Sequence, residues 1–231
     1  MTEFKIVLVE PKYPGNVGAV ARVMMNFGFR DLIIVSDSFS VDDEECRKMA
    51  VHAQEVLDNA LILPNFEEAL SMVDYMAGTS SIESKNEKRH LRNALTLREF
   101  SSRAHEMEGI IGIAFGREDY GLFNDELRNC DVMLKIPTSD EYPSLNLSHA
   151  VGITLYEIFS QKGKISQPRP ADRLEKEKLY EYFDKLLDSI NYPEYKKENT
   201  KTMFRRIIGR AMLSKWEYHT LMGVLKKSMT K

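Results

Sequence analysis

Residues 4–35 read FKIVLVEPKYPGNVGAVARVMMNFGFRDLIIV. An apolar run, Phe4–Val9, meets a loop with Pro11 and Pro14, a helical pattern over Asn16–Phe27, and a second apolar run, Asp31–Val35. Two short β-rich runs on either side of a helical pattern predict a strand, a crossover and a parallel neighbour. The alternation continues along the chain. Strands are predicted at Val73–Gly78, Ile110–Phe115 and Val132–Ile136, and helices at Asp43–Asn59, Phe66–Met72, Thr96–Glu108 and Asn124–Asn129. A longer helix, Leu145–Lys162, closes this part. The predicted class is therefore α/β, a mostly parallel sheet covered by helices on both faces. Ligands of such sheets bind at the carboxyl ends of the strands, so chemistry is sought in the segments that follow strands.

Gly163–Arg173 holds Pro168 and Pro170 without apolar periodicity and reads as a linker. Helices are predicted beyond it at Asp172–Ile190, Thr200–Met212 and Ser214–Lys227, the last opened by a capping-box pattern, Ser214 with Glu217. The chain thus divides into a sheet domain, residues 1–165, and a helical extension, residues 166–231. Charge divides with it. From Gly163 to Lys231 there are 16 Lys and Arg against 9 Asp and Glu, leaving 16 against 26 before it, or +7 against −10 within a total of −3. An acidic front and a basic tail suit a module that does chemistry joined to one that holds a polyanion.

The 231 residues are 43% hydrophobic and 29% charged, values of a folded globular chain. No apolar run nears the roughly 20 residues of a membrane span, and the N-terminus lacks the pattern of a signal peptide. Two cysteines, Cys46 and Cys130, have no metal-ligand spacing, and the five histidines have no metal-ligand partners. A reduced cytoplasmic protein without a structural metal is expected.

Four segments carry residues that helix or strand formation alone does not ask for. In Pro14–Arg22 the one charged group, Arg22, stands among Val20, Ala21, Val23 and Met24, where a guanidinium costs desolvation energy unless an anion meets it. Asn16 reads either as a helix N-cap or as a site residue. The glycines, Gly15 and Gly18, do not make a dinucleotide fingerprint. After the strand ending at Phe115 come Gly116, Arg117, Glu118 and Asp119, where Gly116 allows a close backbone approach. Residues 136–149 form a polar loop entering an apolar helix; Ser144 reads as an N-cap or a site residue, and Asn146 is a poor helix former that needs a reason. Gly78-Thr79-Ser80-Ser81 follows another strand, and behind it lie Lys85, Lys88, Arg89 and Arg92.

Together NVGAVAR (16–22), FGREDYGL (115–122) and IP…YPSLNLSHAV (136–151) resemble the three motifs of the SpoU/TrmH branch of the SPOUT methyltransferases. GTSS at 78–81, LTLRE at 95–99 and the pattern around Phe204, Arg205, Arg206 and Arg210 look like its TrmJ subgroup. The resemblance implies an α/β fold whose C-terminal part threads a deep trefoil knot, a homodimer, and S-adenosylmethionine as cofactor. It further implies transfer of methyl to the 2′-oxygen of a pyrimidine, nucleotide 32 of tRNA. The catalytic residues implied are Asn16, Arg22, Glu118, Ser144 and Asn146. The cofactor pocket implied is Thr79, Ser80, Ser81, Gly116, Ile136, Pro143, Ser144 and Leu145, with Tyr142 closing over cofactor or target. One departure stands out: after GTSS the chain has Ile82-Glu83-Ser84-Lys85, where the subgroup carries arginines almost at once.

A guanidinium with a pKa above ~12 is a poor proton acceptor. Arg22 is therefore read as a clamp on the target phosphate that also stabilises developing oxyanion charge, with Asn16 and Asn146 orienting the hydroxyl. In the extension, Lys201, Arg205, Arg206 and Arg210 lie off the apolar stripe of Thr200–Met212 and are expected to face RNA phosphates. Competing readings are a non-catalytic RNA-binding module, methylation of another tRNA or an rRNA nucleotide, and a doubly wound oxidoreductase, which the glycine pattern disfavours.

Overall fold

A computed structural model of the chain describes residues 2–80, 94–161 and 170–229. Its centre is a seven-stranded sheet in which every paired neighbour is parallel. The strands are β1 (Thr2–Val9), β2 (Asp31–Val35), β3 (Leu61–Leu63), β4 (Tyr75–Thr79), β5 (Ala94–Thr96), β6 (Gly109–Phe115) and β7 (Val132–Lys135), in the spatial order β3-β2-β1-β6-β4-β7-β5. Ile6 to Val9 are buried on both faces, as the unbroken apolar run requires. Alternate residues then feed two cores: Ile6 and Leu8 point to one, Val7 and Val9 to the other.

The larger core is covered by α1 (Pro14–Asn26), α2 (Glu44–Ala50), α3 (Gln54–Asp58), α5 (Leu97–Ala104) and α7 (Leu147–Ser160); the smaller lies under α4 (Phe66–Ser71) and α6 (Asn124–Asn129). Val17, Val20, Ala21 and Met24 form the buried stripe of α1. Gly18 is required there, because a Cβ would stand 2.0 Å from the Cys46 carbonyl oxygen of α2.

The expected Asp43–Asn59 helix is broken. Val51 takes a left-handed φ of 53° between α2 and α3, and Asp43 caps α2 through Glu45 N and Cys46 N. Strands β3 and β5, three residues each, were not expected. The predicted Thr96–Glu108 helix shortens to α5, with Thr96 as its cap in a capping box with Glu99. Helix α7 begins later than expected, at Leu147, and its N-cap is Asn146 rather than Ser144. That supplies the reason for an asparagine at this point.

The extension comprises α8 (Arg173–Ser189), α9 (Glu194–Ala211) and α10 (Lys215–Ser228) around a core with Leu179, Tyr180, Ile208 and Met222. Its α9 starts earlier than predicted. The extension is fastened to the amino end of β4 and β7. Lys176 Nζ donates to the Asp74 carbonyl at 2.5 Å and lies 3.1 Å from Asp131 Oδ1, while the other Asp131 oxygen accepts from Met76 N at 2.8 Å. The buried Tyr75 hydroxyl donates to the Gly209 carbonyl at 2.7 Å. Burial pushes the Asp131 carboxyl upward, but Lys176, Arg173 and the Met76 amide outweigh it and hold the group below its ordinary value. Among the described residues no helix is long and apolar enough to cross a membrane.

Candidate active site

Strand order reverses direction at β1 and β6, and the loops leaving their carboxyl ends meet there, as the switch-point rule requires. The β1–α1 loop brings Lys12 and Tyr13, the first turn of α1 brings Asn16, and the β6 loop brings Glu118. Glu118 accepts from Lys12 N at 2.9 Å, Tyr13 N at 3.3 Å and Asn16 Nδ2 at 2.7 Å. The carboxylate thus occupies the positive end of α1, where a helix leaves amide groups without internal partners. Asn16 is not the N-cap of α1, which falls at Tyr13 with no side-chain bond. Its side chain is instead committed to the site.

From the third segment, Asn146 Nδ2 donates to Asn16 Oδ1 at 2.9 Å. Asn146 Oδ1 in turn accepts from Ser148 N at 2.9 Å and Ser148 Oγ at 2.7 Å. Three segments distant in sequence are therefore joined by one directed chain of hydrogen bonds. Beside it lies a cleft of about 330 Å³, within the range of small-molecule sites. Its floor includes Phe115, Leu147 and Ala150, and its walls come from the strand-end loops. Thr79 fixes one wall by donating its hydroxyl to the Ala114 carbonyl at 2.9 Å. The β6 loop is held closed by paired backbone bonds between Arg117 and Gly121, at 3.2 and 2.7 Å, with Gly121 at a φ of 66°. A Cβ on Gly116 would stand 2.0 Å from the Gly121 carbonyl carbon, so only glycine allows this fold of the loop.

Of the residues expected from sequence, Thr79, Ser80, Gly116, Glu118, Ile136, Pro143, Ser144 and Leu145 all line the cleft. Asn16 and Asn146 join Glu118. Tyr142 does not line it and is 79% exposed. Arg22 is exposed on α1 and makes no ion pair or hydrogen bond among the described residues. Ser81, Lys85, Lys88, Arg89 and Arg92 lie outside the described residues, as do Ile82, Glu83 and Ser84.

Other members of the site were missed. Arg117 lines the cleft, pairs with Glu126 at 3.0 Å and lies over the Phe123 ring. Asp119, not among the expected site residues, also lines it and pairs with Lys12 Nζ at 2.7 Å. Asp119 raises the Lys12 ammonium above its ordinary pKa, chiefly through that hydrogen bond. The only sequence signal for Lys12 was its place in the loop after β1.

The basic face expected on α9 is corrected by the structure. Arg206 is 1% exposed and donates to the carbonyls of Leu127 and Cys130, so it ties the extension to the sheet domain and cannot meet a phosphate. Arg205 lies over the Tyr180 ring and is paired with Glu177 at 3.1 Å, which outweighs burial and holds it charged. Lys201 is paired with Asp184 at 3.2 Å. Arg210 alone of the four makes no ion pair or hydrogen bond among the described residues.

A match to the SpoU rRNA Methylase family model extends over residues 3–156, two thirds of the chain. The chain belongs to the SpoU rRNA Methylase family. As a SpoU methylase it has relatives along its whole length. It is 44% identical over 227 residues to the tRNA (cytidine-2′-O-)-methyltransferase TrmJ of Methanocaldococcus jannaschii, covering 96% of this chain and 97% of that protein. It is 32% identical to the tRNA (cytidine/uridine/adenosine-2′-O-)-methyltransferase TrmJ of Pseudomonas aeruginosa, covering 99% and 94%. The crystal structure of TrmJ from Z. mobilis ZM4 aligns with a TM-score of 0.73 at 29% identity, covering 97% of this chain and 98% of that one. The α/β sheet and its helical extension are therefore a shared architecture, and the chain is an RNA methyltransferase of the SpoU type. Both cysteines are buried, and burial raises the Cys46 thiol to about 11 and the Cys130 thiol to about 12, which leaves them unreactive. Among the described residues no group of three or more His, Cys, Asp or Glu is placed to hold a metal.

Proposed function

We propose that the chain transfers a methyl group from S-adenosylmethionine to a ribose 2′-hydroxyl of tRNA, at a pyrimidine in position 32 of the anticodon loop. The observation that carries this is the Glu118–Asn16–Asn146 chain standing beside the cleft. The relatives' names support the sugar as target, since they share 2′-O-methylation while the base differs.

The cleft suits the cofactor. Phe115, Leu147 and Ala150 offer an apolar bed for a purine, and the Glu118 and Asp119 carboxylates offer acceptors for ribose hydroxyls and a favourable field for a cation. When bound, S-adenosylmethionine supplies an electrophilic methyl on its sulfonium. The protein's own part is placement and charge. Asn16 and Asn146 each keep one amide hydrogen outside the chain described above and can aim at the attacking oxygen. Glu118 fixes Asn16 so that this aim needs no reorganisation. Arg22, exposed and without an ion-pair or hydrogen-bond partner among the described residues, is the cation that would take the target phosphate. Positioning of this kind can contribute ~7–11 kcal/mol in favourable cases.

The proposal includes the knotted chain path, the cytoplasmic location and the homodimer. The exposed stripe of α7, Ile153, Tyr156 and Phe159, supports the dimer, because together with the half-buried Phe27 that caps α1 it leaves apolar surface open to solvent. The test is incubation of the pure protein with labelled methyl donor and an unmodified tRNA transcript, followed by mass spectrometric mapping of the methylated nucleotide. A 2′-O-methyl group at position 32 is the expected product. No incorporation, or incorporation on a base, would overturn the proposal.

A further inference from the structure

Among the described residues, two aromatic side chains line the cleft, at different depths. Phe115, at the carboxyl end of β6, is buried and belongs to the floor. Tyr120, in the loop that follows, is 76% exposed and stands at the mouth. Two other exposed tyrosines of the strand-end loops, Tyr13 and Tyr142, do not line it, and Tyr13 has the Lys12 ammonium over its ring at 5.2 Å.

The ring of Tyr120 is open, yet its backbone is fixed from both sides. Before it, Glu118 is bound to Asn16 and Asp119 to Lys12, each at 2.7 Å. Around it, Arg117 and Gly121 close the loop through their paired backbone bonds. After it, Leu122 is buried in the smaller core. A ring left in water contributes little to the stability of the fold, because that contribution scales with the apolar area removed from water. Held on so short a loop, with two side-chain torsions, it loses little freedom when a flat ligand stacks on it.

We propose that Tyr120 is the surface on which the base of the target nucleotide stacks while its ribose enters the cleft. This rests on the RNA ribose substrate proposed above. The Glu118–Asn16–Asn146 chain addresses the sugar, and Glu118 shares the bracketed loop with Tyr120. A sugar drawn to that chain is pulled from between its neighbours, and its base leaves their stack at a cost in free energy. A preset aromatic ring at the mouth offsets that cost by stacking on the displaced base. Every base has a π-face, so such a surface holds the nucleotide without reading it. Floor and mouth then have separate tasks, the cofactor's purine over Phe115 and the target base on Tyr120.

Methyl transfer by the full chain, with labelled S-adenosylmethionine and unmodified tRNA transcript, tests this. Tyr120→Ala should lower kcat/KM for tRNA about 5- to 150-fold. Its melting temperature and its calorimetric affinity for S-adenosylmethionine should stay at the native values. Tyr120→Phe and Tyr120→Trp should recover most of the loss, since the ring and not the hydroxyl does the stacking. A transcript with 5-iodouridine at the methylated position should photocrosslink to Tyr120, located by mass spectrometry of the digested protein. Native kcat/KM in Tyr120→Ala, a Phe variant as weak as the Ala variant, or the absence of a crosslink at Tyr120 would overturn the proposal. So would a loss confined to S-adenosylmethionine affinity, which would make Tyr120 a cover for the cofactor. Any of these with sugar methylation intact in the native chain removes this proposal alone. Absence of methyl incorporation by the native chain would remove the substrate reading and this proposal with it.

Discussion

Asn146 donates its side-chain amide to Asn16 Oδ1 at 2.9 Å, and the direction of that bond is forced from both ends. Glu118 can only accept, so Asn16 must turn its nitrogen to it and its oxygen away. The Ser148 amide can only donate, so Asn146 must turn its oxygen there and its nitrogen to Asn16. Neither amide can flip without breaking a bond to a fixed partner.

That constraint makes Asn16→Asp more harmful than its size suggests. A second carboxylate would face Glu118 where 2.7 Å now separates donor and acceptor. Two like charges so close raise the pKa of one of them, and the bond from Asn146 is left as the only favourable contact. Turnover on saturating tRNA should fall by about 10²-fold or more, in line with loss of an oriented donor at a reacting oxygen. Melting temperature should change little. A variant with more than half of wild-type turnover would show that the hydrogen-bond chain does not serve catalysis.

Arg22→Lys keeps the charge and removes the planar fork. If Arg22 grips a target phosphate and steadies developing oxyanion charge, single-turnover methyl transfer should slow by about 10- to 100-fold with the fold intact. Nearly full turnover on saturating tRNA would mean that a point charge suffices, and the clamp idea would be wrong.

How far these features could be read in advance depended on whether partner groups lay close in sequence. Strand β1 was legible because Ile6 to Val9 is apolar without a break, and the α10 start because Ser214 and Glu217 cap each other three residues apart. β3 escaped notice because three residues with Leu61 and Ile62 exposed make no periodic signal. The break at Val51 has neither glycine nor proline to mark it. Arg206 looked like a surface cation because the carbonyls that receive it, from Leu127 and Cys130, lie 79 and 76 residues away. Asn16 and Glu118 were both suspected, yet their bond spans 102 residues, and only the adjacency of β1 and β6 brings it about.

The exposed apolar stripe of α7 makes the proposed dimer open to a direct test. Tyr156→Glu puts a charge at the centre of the face formed with Phe27 and Phe159, where burial against a partner would leave it unpaired. Sedimentation should show a dimer for the native chain and a monomer for the variant, with circular dichroism unchanged. A native monomer at micromolar concentration would remove the dimer from the proposal.

Two glycines of the extension should respond in opposite directions to the same substitution. A Cβ on Gly209 would stand 1.8 Å from the Asp131 carbonyl oxygen, a backbone atom that cannot swing aside. Gly209→Ala should therefore cost at least about 3 kcal/mol and loosen the extension from the sheet. Gly223 has open space around it and sits within α10, so Gly223→Ala should stabilise by about 0.5–1 kcal/mol. Thermal melts of the two variants check both signs.

The fastening of the extension also predicts a pH dependence. Asp131 is buried, and its folded pKa lies below the ordinary aspartate value because Lys176, Arg173 and the Met76 amide favour the ionised form over the effect of burial. A carboxyl depressed in the folded state contributes stability that is fully present above its unfolded pKa of about 3.9 and is lost as pH falls through the folded value. The native chain should therefore hold its urea midpoint down to about pH 5 and lose it steeply below about pH 4. Asp131→Asn removes that acid limb but strands Lys176, whose buried ammonium would lose its nearest counter-charge and keep neutral partners such as the Asp74 carbonyl and the Tyr75 ring. Its cost near neutrality should be about 3–5 kcal/mol, the penalty for breaking a buried pair from one side. Asp131→Asn combined with Lys176→Met should regain much of that loss, since neither charge is then buried alone. A single variant as stable as the native chain at pH 7, or a double variant no better than the single, would show that the extension is held by its apolar contacts and the Tyr75–Gly209 bond instead.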